Sequence, residues 1–202
     1  AAPLAPLLER LEAQEAAAHA ALANATVLVD YGDPRFADDA WFEDGFCFGG
    51  GPVRPGDVQF GTDAARPVQR VFARGAARRD PAWDIVELAG GTERESGRLS
   101  WLQAGRTLYT PTFTLPAGKL FYLVRGSGYA YAAVDSHRMN NGPLHGALVR
   151  EWQGDGTLQW IEHNLADYRG HRLHVEFSPR EPGQVAEGHS PELEILLVAA
   201  AD

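Results

Sequence analysis

Two periodicities divide the chain. In residues 3–24, Leu4, Leu7, Leu8 and Leu11 recur at helical spacing and an Ala/Glu-rich stretch follows, which predicts an α-helix ending near Asn24. From Thr26 onward the apolar positions fall instead in short runs separated by Gly, Pro and Asp. Strands are expected over 26–31, 68–73, 83–88, 106–109, 112–115, 119–125, 129–135, 147–152, 158–163, 171–177 and 193–199. Short strands at this spacing predict an all-β sandwich or barrel rather than alternating β-α units. Gly126-Ser127-Gly128, set between two apolar runs, reads as the turn of a β-hairpin. Residues 164–170 read as a short turn of helix, and 74–80 and 90–97 as loops. The expected organisation is an N-terminal helix over 1–25, serving as linker or packing helix, and one β-sandwich domain over 26–202.

Composition narrows the partners. An apolar fraction of 45% is ample for a real core. The net charge is −9 and no basic run exceeds Arg78-Arg79. That argues against nucleic acid, which needs clustered cations to neutralise phosphates, and against anionic lipid surfaces. No apolar run approaches the roughly 18 residues that would suggest a membrane helix, so direct membrane insertion is not expected. The single cysteine, Cys47, stands between Phe46 and Phe48 and reads as a small buried hydrophobe. The chain starts at Ala1 without methionine, which suggests a piece of a longer protein.

The histidines invite a metal or catalytic reading, with His171-x-x-His174 the strongest pair. On a strand, side chains three apart point to opposite faces, so this pair is poorly placed to chelate one ion. No G-x-S-x-G motif is present, and Gly49-Gly50-Gly51 precedes Pro52 rather than a helix, so neither a serine nucleophile nor a phosphate cradle is indicated. With 27 acidic residues a glycosidase pair is always conceivable, but none stands out at an apolar strand end. The domain is expected not to be an enzyme.

The most informative stretch is 129–146, YAYAAVDSHRMNNGPLHG. Sugars are recognised by planar polar groups that pair with vicinal hydroxyls and by an aromatic ring against the C–H face. This stretch carries both, although the same composition also fits an ordinary polar loop. The candidate ligand-binding residues are Arg125, Tyr131, Ser136, His137, Arg138, Asn141, His145 and His174. Arg125 and Arg138 would donate hydrogen bonds, also to the carboxylates or sulfates of an acidic polysaccharide. His137, Asn141 and His145 would read hydroxyls, and Tyr131 would stack. Strand phase suggests that Arg125, Tyr131, Arg150, His174 and Glu176 line a groove on one sheet. Trp83, Trp152 and Trp160 are expected in the core, whereas Trp41 and Trp101 are better candidates for exposure. Asp30 and Asp33 near the first strand, with Glu194 in the last, are candidate ligands for a structural Ca2+ if those strands are neighbours.

The stretches 37–57 (ADDAWFEDGFCFGGGPVRPGD), 105–115 (GRTLYTPTFTL), 124–146 (VRGSGYAYAAVDSHRMNNGPLHG) and 160–177 (WIEHNLADYRGHRLHVEF) resemble a module inserted in large planctomycete surface proteins that carry a cytochrome c domain. More broadly the pattern is similar to galactose-binding-like sandwiches that serve as carbohydrate-binding modules. The resemblance spans roughly residues 26–178, with the V-D-S-H-R-x-x-N-G-P-L-H-G run at 134–146 its most specific part. It implies a jelly-roll, galactose-binding-like sandwich that tethers a haem protein to polysaccharide at the cell surface, in the periplasm or outside the cell. The other domains of such a parent would be its further partners. The chain has no C-x-x-C-H, so it holds no covalently attached haem itself. The alternative to sugar binding is a structural or protein-interaction domain that organises its parent.

Overall fold

A computed structural model describes residues 22–36, 38–81, 106–135, 145–180 and 182–202, together with Glu9 and Ala20. Over these residues the chain is an antiparallel β-sandwich. The first sheet has the order β1 (Thr26–Asp30), β13 (Leu193–Ala201), β8 (Lys119–Gly126) and β11 (Leu158–Asn164), with β5 (Ala77–Arg78) also paired to β13. The second runs β10 (Val149–Trp152), β9 (Gly128–Val134), β12 (Arg172–Pro179), β6 (Arg106–Tyr109) and β2 (Phe42–Gly45), with β7 (Phe113–Thr114) joined to β12. A separate hairpin consists of β3 (Val58–Phe60) and β4 (Val68–Val71).

The period-2 pattern decides which side of each strand faces the other sheet. In β8 it is Leu120, Tyr122 and Val124 that are buried, and in β12 Leu173, Val175 and Phe177. Tyr122 meets Phe177 edge-on, with ring centroids 5.1 Å apart, so the two sheets touch through an aromatic pair. Burying each such side chain contributes on the order of 1.5–3 kcal/mol, which makes this interior the main source of stability. Cys47 and Phe48 join the same core, while Phe46 between strand and turn stays exposed.

The turn expected to close a β8–β9 hairpin does something else. β8 and β9 belong to different sheets, and Gly126-Ser127-Gly128 is the corner at which the chain crosses between them. Alternation along a strand reports its faces and not its partner, so a tight glycine turn between two strands looks the same in sequence whether it closes a hairpin or crosses between sheets. Gly126 has φ +78°, and a Cβ there would lie 1.6 Å from the carbonyl oxygen of Glu192. Ser127, fully buried, donates its N–H to that same carbonyl at 2.9 Å, and its hydroxyl accepts the N–H of Gly154 at 3.2 Å. The corner is therefore clamped from two directions.

The segment 74–80, expected as a loop, contains β5, a two-residue strand too short for any periodicity to reveal. The expected turn of helix within 164–170 is the 3-10 turn Ala166–Tyr168. Leu22 and Ala25 pack on Ala76, Leu196, Leu197 and Ala199, on the outer side of the first sheet. Most of the expected helix over 3–24, the strand over 83–88, the loop over 90–97, Trp83 and Trp101 lie outside the described residues.

One buried polar bridge crosses the interior. The Tyr122 hydroxyl contacts His163 Nδ1 at 2.7 Å, and His163 Nε2–H donates to the Ala147 carbonyl at 2.8 Å. Because a carbonyl only accepts, Nε2 carries the proton and Nδ1 accepts from the tyrosine. Burial pushes the imidazole pKa down from 6.5 to about 4.

Two outcomes follow from these constraints. Gly126→Ala is expected to lower stability by at least ~1–2 kcal/mol from the left-handed backbone alone, with the carbonyl clash added, as read by urea unfolding. For His163, a depressed folded pKa means that the unfolded chain binds the extra proton. Its contribution is present above pH 6.5 and is lost as pH falls from 6.5 towards 4, amounting to roughly 3 kcal/mol. Unfolding curves between pH 7 and 5 should show this slope, and His163→Gln should flatten it.

Candidate functional site

Directly opposed residues in an antiparallel pair share a face. Glu176 stands opposite Tyr131 on one side and Tyr109 on the other, and His174 stands opposite Ala133. Since Leu173, Val175 and Phe177 point inward, these residues occupy the outer face of the second sheet. The expected grouping of Tyr131, His174 and Glu176 is thus present.

Ala133, opposite His174, is small and itself buried. A cavity of about 230 Å3 forms there, lined by Thr112, Ala133, Asp135, Arg172, Leu173 and His174. His174 Nε2–H donates to Glu176 Oε1 at 2.9 Å, and the ring meets Tyr109 edge-on at 5.7 Å. The carboxylate thereby fixes the orientation of the imidazole and leaves Nδ1 for another partner. Asp135 ends the strand region with φ 50°, a left-handed conformation that Asp tolerates better than most residues. Its carboxylate accepts from His171 Nδ1–H at 3.1 Å. His171 packs edge-on against Tyr168 at 6.2 Å, and the Tyr168 hydroxyl contacts His145 Nδ1. Asp135, His171, Tyr168 and His145 therefore form a polar chain that starts at the cavity, hydrogen-bonded at its two ends and joined in the middle by the His171–Tyr168 ring contact.

Several expectations change. Tyr131 lies on the right face, but only 1% of it is exposed, so it is no open stacking platform. Burial, with the negative charge of Glu176 added, pushes its hydroxyl up to about 12. Arg125 belongs to β8 in the other sheet, where it pairs with Glu194. Arg150 stands opposite Ala130, an inward position, and its charge acts on Tyr122 and His163 instead of on the groove. Ser136, His137, Arg138 and Asn141 lie outside the described residues. His145 is exposed at the end of the polar chain, and His174 is at the cavity itself.

The calcium candidates separate. β1 and β13 are neighbours, as the idea required, yet each carboxylate is committed elsewhere. Asp30 Oδ1 accepts the N–H groups of Gly32 and Asp33, which closes a turn. Asp33 forms a two-pronged pair with Arg35 that holds its carboxyl down to about 2. Glu194 is ringed by Arg70, Arg78 and Arg125. Among the described residues no group of three or more His, Cys, Asp or Glu is placed to hold a metal ion.

Strand phase puts Arg172 on the face of His174 and Glu176, whereas Thr112, Ala133, Tyr109 and Tyr168 carry no such signal. Thr112 and Tyr168 come from distant segments, and only the fold brings them near. Together the site offers the Arg172 guanidinium, the Asp135 and Glu176 carboxylates, the imidazoles of His145, His171 and His174 and the hydroxyls of Thr112 and Tyr168 around a small-residue floor. These are fixed donors and acceptors of both kinds, suited to reading a polyhydroxylated ligand.

No protein-family model matches the chain, and no curated protein matches it. Among solved structures it is similar to a glycoside hydrolase family 43 arabinoxylan arabinofuranohydrolase from Bacillus subtilis in complex with cellotetraose, at 16% identity and a TM-score of 0.32. That match covers 48% of this chain and 19% of the other.

Proposed function

We propose that this domain is a non-catalytic carbohydrate-binding module whose ligand sits over the cavity between Asp135, Arg172 and His174. The observation that carries the reading is the oriented His174–Glu176 pair beside Arg172, set above Ala133. Vicinal hydroxyls each donate and accept, so they are best matched by rigid groups that do both within one small area. The bond to Glu176 fixes the direction of the His174 ring, so that its other nitrogen can take a fixed part in reading a hydroxyl. Tyr109, edge-on to His174, adds an aromatic flank. Binding at a single site of this size is expected to be weak, and adhesion would come from many copies acting together. On the resemblance noted above, the parent would be a planctomycete cytochrome c-containing surface protein held to extracellular polysaccharide.

A structural or protein-interaction role has one specific observation in its favour. Val58, Phe60, Val68 and Val71 of the β3–β4 hairpin are all exposed, and the register pairs Val58 with Val71 and Phe60 with Val68. An apolar face of this kind marks interaction surfaces on soluble domains.

A glycan array with the isolated chain, run with calcium and with chelator, separates the two. Binding to at least one glycan is expected, and His174→Ala should weaken it about tenfold or more with an unchanged circular dichroism spectrum, the loss of one or two charge-assisted hydrogen bonds at ~1.5–3 kcal/mol each. Silence across neutral and acidic glycans would overturn the sugar reading. Loss of partner-domain association in Phe60→Ser would then support the structural one.

A further inference from the structure

The opposite side of the sandwich carries a different constellation. β11 is an edge strand of the first sheet, and its register with β8 sets Leu158 opposite Arg125, Trp160 opposite Leu123 and Glu162 opposite Phe121. Ile161 and His163 take the inward positions, so Trp160 points out and is 37% exposed. Trp152 is buried in the core as expected, but Trp160 is not. The β13 side of this face is closed by Leu22 and Ala25, which leaves the β11 side open around the indole.

Beside the indole lies a preorganised arginine cluster. In register, Glu194 stands between Arg125 of β8 and Arg78 of β5, and Arg70 of the hairpin closes a third side. The nitrogen–oxygen distances to Glu194 are 2.8 Å from Arg70, 3.3 Å from Arg78 and 3.4 Å from Arg125. Arg70 and Arg78 also lie over the Phe72 ring, with guanidinium carbons 4.7 and 5.1 Å from its centre. Glu194 is the buried anchor at 6% side-chain exposure, whereas Glu192 is half exposed and stands off at 3.5 Å from Arg78 and 3.9 Å from Arg70. Among the described residues, three guanidiniums against two carboxylates leave one positive charge in this cluster, in a chain of net charge −9. Arg125 and Arg70 each keep about a third of their side chains exposed, at 32% and 29%. Further along this face, Lys119 and Glu162 pair with each other at 2.9 Å.

We propose that this face is a second, separate glycan site, selective for sugars that carry a carboxylate or sulfate. The C–H face of the ring would stack on Trp160, and the acidic group would reach Arg125 and Arg70 in place of the loosely held Glu192. Diagonal neighbours across an antiparallel pair are about 7–8 Å apart, so Trp160 and Arg125 are spaced for the ring and the substituent of one sugar. Charge complementarity selects the occupant: a local positive excess beside an aromatic platform favours an anionic ring over a neutral one. The inference shares the carbohydrate reading but not the site around His174, and the two fail separately.

Affinity electrophoresis and tryptophan fluorescence with polygalacturonate, a sulfated galactan and a neutral galactan test it on the whole chain. At least one anionic polymer should retard the protein and shift its emission, with a loss of the effect at high salt. Trp160→Ala, a change at an exposed position that leaves the core intact, should weaken this binding roughly tenfold. Glu192→Gln should strengthen it several-fold by removing the competing carboxylate, and His174→Ala should leave it unchanged. No retardation by either anionic polymer, an undiminished Trp160→Ala, or weaker binding in Glu192→Gln would each overturn the proposal. Loss of anionic binding only in His174→Ala would also overturn it, and would assign the charge preference to the cavity on the second sheet.

Discussion

The passage of the chain from one sheet to the other at Gly126-Ser127-Gly128 governs much of the remaining architecture. Only a residue without a Cβ fits at Gly126, because the Glu192 carbonyl occupies that space. In return, that carbonyl accepts the Ser127 N–H and ties the approach to β13 against the corner. The consequence extends along both strands. With Leu193 opposite Gly126 and Glu194 opposite Arg125, the corner sets the register of the last strand against the first sheet. On the other side it sets β9 beside β12, with Gly128 opposite Pro179. A one-residue slip in either ladder would turn inward side chains outward, so the sandwich depends on this turn being made in one way.

The same registers build the two outer faces. On the second sheet, the pairing of β9 with β12 puts Ala133 opposite His174 and so opens the cavity. On the first, the pairings of β13 with β8 and with β5 put Glu194 between two arginines. Glu194 would be costly to bury alone, and the surrounding guanidiniums offset that cost. Its ion pairs also anchor the β3–β4 hairpin through Arg70, which joins an otherwise separate two-stranded sheet to the body of the domain.

How much of this was legible in the sequence depends on the range of the interaction. The longer strands among β6 to β13 follow from local alternation, and their expected bounds differ from the observed ones by only a few residues. The three-residue β3 and the two-residue β5 are too short to carry a period, and they are held by tertiary pairing. Face was legible and partner was not. Tyr131, His174 and Glu176 were grouped correctly from strand phase, while Arg125, of equally suitable phase, proved to be on the other sheet. Trp152 and Trp160 look alike as aromatics in apolar strands. Only the register of each strand with its neighbour sends one into the core and the other to solvent. Asp30, Asp33 and Glu194 likewise sit on neighbouring segments, and nearby N–H groups and arginines hold their carboxylates, a set of contacts that strand order alone does not reveal.

The division into two faces has a consequence for any polymer that binds. Packed sheets lie about 10 Å apart, and the interior between them is filled, so a single ligand residue cannot touch both outer faces. A site around His174 and a site around Trp160 would therefore engage different chains, or distant stretches of one. Their chemistry also differs, since the cavity sets one carboxylate, Asp135, against one guanidinium, Arg172, whereas the first-sheet cluster carries an excess of positive charge. Two weak sites on opposite sides would bridge polymer strands instead of gripping one more tightly. Their combined strength would then depend on the spacing of strands in the matrix and on the number of domains, more than on the affinity of either site.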